Sequence, residues 1–376
     1  MRARDYFPLG IAFGSAFCNR ESETEIIIKN MQSTKHTLIM APRRYGKSSL
    51  SLHALALSQL PYTEIDFYMA SNEKQVEDYI LNGVQDLIGK SLGPINKLIA
   101  SIKKHVKSLS PKIEIGASPF KLELVSQTNS DPASNVKEAL LLLENLLKEK
   151  NKRAVLLLDE FQTVGIIAQG KGIEAAIRHV AQKTKHLTLI FSGSNRKLLK
   201  TMFEDDTRPL YKLCWKISVK RISPDHYKKH FQKAAQLAWK KSLNEEVIDR
   251  ILLLTERHPF YVNKLGDRLL SHFDKRTAPH APDVDAAWLE IVTEEKSDAV
   301  KEISSLSMGQ KSLLQQIANK EGLPISGKQT MLNLKMTSSS IMTALNALEE
   351  KDLIEREAGE IQIINPVVRY FASRHA

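Results

Sequence analysis

Ala41-Pro42-Arg43-Arg44-Tyr45-Gly46-Lys47-Ser48 reads as a phosphate-binding loop with one letter changed. The pattern G-x-x-x-x-G-K-[ST] needs a flexible turn whose backbone N–H groups wrap a phosphate, a lysine that reaches the outer phosphates, and a hydroxyl for Mg2+. Only the first glycine is missing, replaced by Ala41. Upstream, His36-Thr37-Leu38-Ile39-Met40 suits a short buried strand; downstream, Ser49-Leu50-Ser51-Leu52-His53-Ala54-Leu55-Ala56-Leu57 suits a helix. Strand, loop and helix in that order turn the positive end of a helix toward the anion. Pro42, Arg43, Arg44, Tyr45, Gly46, Lys47, Ser48 and Ser49 are therefore candidate contacts of a nucleoside triphosphate.

About a hundred residues on, Ala154-Val155-Leu156-Leu157-Leu158-Asp159-Glu160 is an apolar run ending in two acids, the Walker B arrangement. Asp159, with Ser48, is placed to hold Mg2+; Glu160 is placed to orient or deprotonate an attacking water, and Lys47 to bind phosphate charge. Thr63–Met69, Leu187–Phe191 and Leu213–Val219 are further expected strands, while Asn135–Lys150 and Ile173–Lys183 carry helical periodicity. Such alternation predicts an α/β P-loop NTPase fold, a mostly parallel sheet covered on both faces with its ligand beyond the carboxyl ends of the strands. Between the two motifs, Pro111 to Leu124 alternates about a Gly/Ser/Pro turn and predicts an inserted hairpin at about 111–125. The strand from Leu187 runs into Ser192-Gly193-Ser194-Asn195. Ser194, then Asn195, are candidates to touch the γ-phosphate or the water, and a helix N-cap is an equal reading of this Ser/Asn stretch.

With 376 residues the chain exceeds one ordinary core. The expected division is a nucleotide-binding core over 1–219, a helical lid over 220–298 and a winged helix over 299–376. The lid is read from helical runs at Pro224–Lys240, Asn244–Thr255, Tyr261–Phe273 and Ala286–Thr293, with Pro279, Pro282 and Asp283 breaking the last connection. The winged helix is read from Met308–Ala318, Lys328–Leu334 and Ser338–Lys351, followed by two short strands from Leu353 to Ile364. Its third helix, the expected major-groove reader, offers Ser339, Ser340, Thr343, Asn346 and Glu350 with no Lys or Arg before Lys351. That is a poor set for phosphate contacts.

The net charge of +11 is uneven: basic and acidic residues number 31 and 22 over 1–219, 14 and 13 over 220–298, and 9 and 8 beyond. The excess lies on the nucleotide-binding part. It suits DNA, RNA or any acidic partner, and equally a solvated helix face. No window offers a long uncharged apolar run, so no membrane span is expected, and Met1 to Tyr6 does not open a signal peptide. Cys18 and Cys214 stand far apart without partners at metal-ligand spacing, which fits a reducing cytoplasm.

Together these residues resemble the archaeal-ATPase group within the STAND branch of AAA+ P-loop ATPases. Phe17-Cys18-Asn19-Arg20-Glu21-Ser22-Glu23 is similar to the family's opening box, Pro42-Arg43-Arg44 to its Arg-Arg loop, and Arg208-Pro209-Leu210-Tyr211 to the segment before the fifth strand. Thr255-Glu256-Arg257-His258-Pro259-Phe260-Tyr261 resembles its lid motif. The resemblance implies ATP and Mg2+ as ligands, Asn19 and Arg20 against the adenine, and His258 and Pro259 as lid contacts. It implies an ATPase acting as a conformational switch for a protein partner, with nucleic acid left open as a partner and nucleotide-dependent oligomers as a further option. The alternatives are an initiator or transposition helper using ATP as a structural ligand, and a scaffold whose site no longer turns over. Five positions depart from the family pattern. If the position of Ala41 needs φ > 0, alanine there costs about 1–2 kcal/mol. Asn19 and Arg257 stand where glycine is usual, and Lys212-Leu213 replaces Gly-Arg. An arginine finger then falls to Arg196, Arg208 or another chain.

Overall fold

The computed structural model describes residues 3–93, 98–106, 109–114, 121–126, 130–167, 171–273, 277–319, 327–357 and 360–374. The chain divides into two compact units. One comprises Arg20–Arg43 and Lys47–Val219; the other comprises Met1–Asn19, Arg44–Gly46 and Lys220–Ala376.

The first of these is built on a five-stranded sheet in the order β2-β5-β6-β1-β7. Its strands are β1 (Thr37–Met40), β2 (Tyr62–Asp66), β5 (Ala154–Asp159), β6 (Leu187–Gly193) and β7 (Trp215–Ser218), and every pairing is parallel. The three inner strands are buried at each residue, which is why they read as unbroken apolar runs rather than alternating ones. At the edges, β2 alternates and β7 buries only Ile217. The flanking helices are α1 (Glu21–Gln32), α2 (Lys47–Ser58), α3 (Glu73–Leu92), α4 (Ile99–His105), α5 (Pro132–Glu149), α6 (Gln162–Ile167), α7 (Lys171–Ala181) and α8 (Arg196–Glu204). The Asp131-Pro132 pair acts as a helix start should: the Asp131 carboxylate accepts from Ser134 N, and Pro132 takes the first turn of α5. β3 (Leu109–Glu114) and β4 (Lys121–Ser126) pair antiparallel; the turn expected between them, 115–120, lies outside the described residues. The feature that positions the site is the insertion of β6 between β1 and β5. It brings Ser192, which pairs in register with Ile39, alongside the ends of the two motif-bearing strands.

The other unit is helical: α9 (Pro224–Trp239), α10 (Glu245–Leu254), α11 (Pro259–His272), α12 (Ala281–Glu294), α13 (Lys296–Ser304), α14 (Met308–Asn319), α15 (Lys328–Leu334), α16 (Ser338–Glu350) and α17 (Pro366–Ala372), with the antiparallel hairpin β8 (Ile354–Glu357) and β9 (Glu360–Ile363) before α17. One continuous apolar core, including Trp239, Ile248, Leu265, Trp288, Leu314, Ile341 and Val367, runs through these helices and takes in Tyr6 and Phe7. α12 starts five residues before the expected Ala286. Pro282 is accommodated in its first turn, where no N–H is needed, and Asp283 turns back to accept from His280 N at 2.7 Å. Residues that looked like breakers are a start signal. Among the described residues, no helix is long and apolar enough to cross a membrane.

Candidate active site

Three strand ends and one helix start converge in the sheet-based unit. Lys47 opens α2, and its ammonium, 8% exposed, pairs with Asp159 Oδ1 and lies 3.4 Å from Glu160 Oε1. Ser48 Oγ stands 3.5 Å from Asp159 Oδ2. Ser192, from the inserted strand, donates to Asp159 Oδ1 and receives from Lys47 Nζ at 3.4 Å. Burial pushes the Asp159 carboxyl up, but the Lys47 ammonium and the hydrogen bonds from Lys47, Ser192 and Glu160 N outweigh it and hold the acid below its ordinary range. Asp159 is therefore an anion at neutral pH. Glu160 follows in the left-handed region (φ 49°), and its Oε2 accepts from Ser194 Oγ at 2.9 Å and from the Gln162 amide.

Of the sequence candidates, Lys47, Ser48, Asp159, Glu160 and Ser194 thus come together in one hydrogen-bonded group. Asn195 does not join it; its side chain caps α8 by accepting from Leu198 N at 3.0 Å. Arg20 is buried at the start of α1, with Nη1 3.2 Å from Glu23 Oε1 and φ at 81°. Pro42 and Ser49 are buried and Arg43 is exposed. Arg208, a candidate finger, is engaged inside this unit: it pairs with Glu174, which is fully buried on α7 and whose carboxyl is pushed up to about 7 by burial.

The loop tip belongs with the helical unit. Arg44 lies over the Phe260 ring at 4.2 Å, and Tyr45, 1% exposed, meets the His258 ring edge-on at 4.8 Å. The Tyr45 hydroxyl donates to Glu355 Oε1 at 3.2 Å and accepts from Arg221 Nε at 3.0 Å. Arg221 also donates to Glu256 O and to the Ile363 and Ile364 carbonyls, and Arg369 pairs with the Glu256 carboxylate. His258 is buried at the start of α11, ahead of Pro259. Burial first, then the Arg221 and Arg44 charges, lower its pKa to about 3, and its Nδ1 has no partner. A buried, neutral imidazole with an open nitrogen is suited to receive a ligand donor. Asn19 and Arg257 take the left-handed backbone (φ 61° and 60°) at the positions where the family pattern has glycine. Ala41 does not; the loop residues with positive φ are Arg44 and Gly46, so alanine carries no backbone strain there.

These residues fit a triphosphate. Gly46 holds φ 84° with open space beside its Cα, leaving room for an anion against the loop, and the donors are a lysine and a hydroxyl at a helix start. Ser192, Gln162, Arg221 and Glu355 were not among the sequence candidates; their parts depend on contacts that no local pattern records.

The sequence profile of an ATPase domain found predominantly in Archaea matches residues 17–265. The chain belongs to this archaeal ATPase family. Its fold is that of AAA+ P-loop ATPases. The ATPase is similar to a Walker-type ATPase of Pyrococcus abyssi, with 18% identity over 98% of this chain and 99% of that one and a TM-score of 0.68. It is also similar to the ORC2 protein of Aeropyrum pernix in ADPNP and ADP complexes, with 13% identity, 99% and 96% coverage and a TM-score of 0.56. No curated protein matches the sequence.

Proposed function

We propose that this ATPase is a Mg2+-dependent conformational switch in which the state of the phosphate loop is passed to the C-terminal hairpin and from there to a protein partner. Lys47 and the loop N–H groups would bind the phosphates, Ser48 and Asp159 would hold Mg2+, and Glu160 would take a proton from the attacking water. Bound Mg2+ supplies neutralisation of phosphate charge. Ser194 steadies the Glu160 carboxylate, and Arg20, at the start of α1 in the same unit, is the proposed contact to the rest of the nucleotide. With Arg208 held by Glu174, a finger falls to Arg196 or to a second chain.

The observation that carries the switch is Tyr45. A residue one step from Gly46 is fully buried and hydrogen-bonded to Arg221 and Glu355, so any change in loop backbone must stretch or remake bonds that reach β8 and the end of β9. Burial raises the phenol above its ordinary pKa, so it stays a donor across the physiological range. A protein partner is favoured over DNA because α16 carries no Lys or Arg.

The test is hydrogen exchange across Ile354–Ile363 with and without a non-hydrolysable ATP analogue. Protection should change on binding in the parent and should no longer change in Tyr45→Phe, with analogue affinity held within about threefold. A hairpin blind to nucleotide in the parent removes the switch.

A further inference from the structure

We infer that Gln162 is a positioning residue for Glu160, fixing which carboxylate oxygen faces the reaction. This assignment rests on the ATPase reading above and adds a residue to it. Glu160 has two oxygens with about two acceptor sites each. Oε2 is filled from behind by two donors, Ser194 Oγ at 2.9 Å and the Gln162 amide. Oε1 faces Lys47 Nζ at 3.4 Å and retains an acceptor site. The carboxylate therefore has one oxygen anchored and one presented, which is what a base that must meet a water in one place requires.

Two features show that the amide orientation is set by Glu160 and not by packing. Gln162 Oε1 is buried without a partner. Turning the amide over would aim that carbonyl at the carboxylate, so the orphaned oxygen is retained as the lesser penalty. Opposite it stands Gly193, at which a Cβ would overlap Gln162 Oε1. Its φ is not in the left-handed region; the glycine is there for space. The backbone reinforces the arrangement, since Phe161 N bonds Ser192 O at 3.0 Å and Thr163 N bonds Glu160 O at 3.0 Å, clamping the turn that carries both side chains.

The experiment compares the full-length parent with Gln162→Met, Gly193→Ala, Glu160→Gln and the Glu160→Gln/Gln162→Met double variant. Steady-state kcat and KM for ATP, the Kd of a fluorescent non-hydrolysable analogue, and Tm are measured on each. Gln162→Met should lower kcat by roughly 10- to 100-fold while KM and Kd stay within about twofold, and Gly193→Ala should do the same by displacing the amide. In the Glu160→Gln background Gln162→Met should cost nothing further, because a residue that acts only through Glu160 has nothing left to act on. A kcat within twofold of the parent in Gln162→Met, or an undiminished further loss in the double variant, overturns the assignment alone. A Glu160→Gln protein that turns over like the parent overturns the reading of Glu160 itself, and this assignment with it.

Discussion

Lys47 is the residue on which the site's charge turns. It is nearly buried, and Asp159 and Glu160 both lie against it. Removing the ammonium leaves two carboxylates and any incoming phosphate without a counter-charge, a penalty that falls on binding itself. Lys47→Ala is therefore expected to abolish nucleotide binding, measured by titration with a fluorescent analogue; unchanged binding would place the phosphates elsewhere. Glu160→Gln keeps the shape but removes the charge and the proton acceptor. It should hold ATP and lose about 10²–10⁴-fold in turnover, read as phosphate release. At this scale much was legible in the chain: the Lys-Ser pair and the Asp-Glu pair each follow from a short local pattern. Ser192 was not legible, and Tyr45 was legible only as a member of the loop, because each acquires its partners through contacts 33 to 310 residues away. The Ala41 expectation shows the limit differently. The pattern marks a missing glycine, but the left-handed residues of this loop are Arg44 and Gly46, and a one-letter pattern does not carry φ.

Among the elements, α7 carries the least expected energetics. Glu174 is fully buried, and its partner Arg208 comes from the segment after α8. Burial dominates, so the acid titrates at about 7 in the folded chain against 4.5 for the free group. The native state holds this proton more tightly than the unfolded chain does. Its contribution to stability is thus complete below pH 4.5 and is lost as pH rises through about 7. Urea midpoints of the parent should fall relative to Glu174→Gln between pH 5 and pH 8; parallel curves would show that the pair is ionised throughout. Helix and strand identities were widely legible because apolar period and start signals agree, Asp131-Pro132 for α5 and Pro224 for α9. The start of α12 was not, since proline in a first turn and proline in a broken loop are written with the same letter.

For the whole molecule, the basic excess falls on residues 1–219, whereas the helix expected to read DNA is acidic at its end, with Glu349 and Glu350 and no basic residue. A DNA-binding initiator draws most of its affinity from phosphates. The chain should accordingly show no preference among duplex DNA sequences, with or without ATP analogue, and only the loose low-salt retention that the basic excess supplies. Tight retention that weakens steeply with added salt would instead favour the initiator reading. The five-strand order was not legible beyond its parallel character, because which strands neighbour one another is decided by crossovers and leaves no trace in local composition.

Residues near the start of the chain pack with helices that come much later. Phe7 stacks on Phe231 with ring centres 4.7 Å apart and lies against Gly266, where a side chain would collide with it, while Arg4 pairs with Asp267. During translation these aromatic groups leave the ribosome more than two hundred residues before their berths exist. At about 5–20 residues per second they wait roughly 10–40 s, greasy and uncovered. Chaperone attention should therefore be drawn to the newborn segment around Phe7, and a fragment starting at Lys220 inherits an open groove that a short synthetic peptide of that segment could fill.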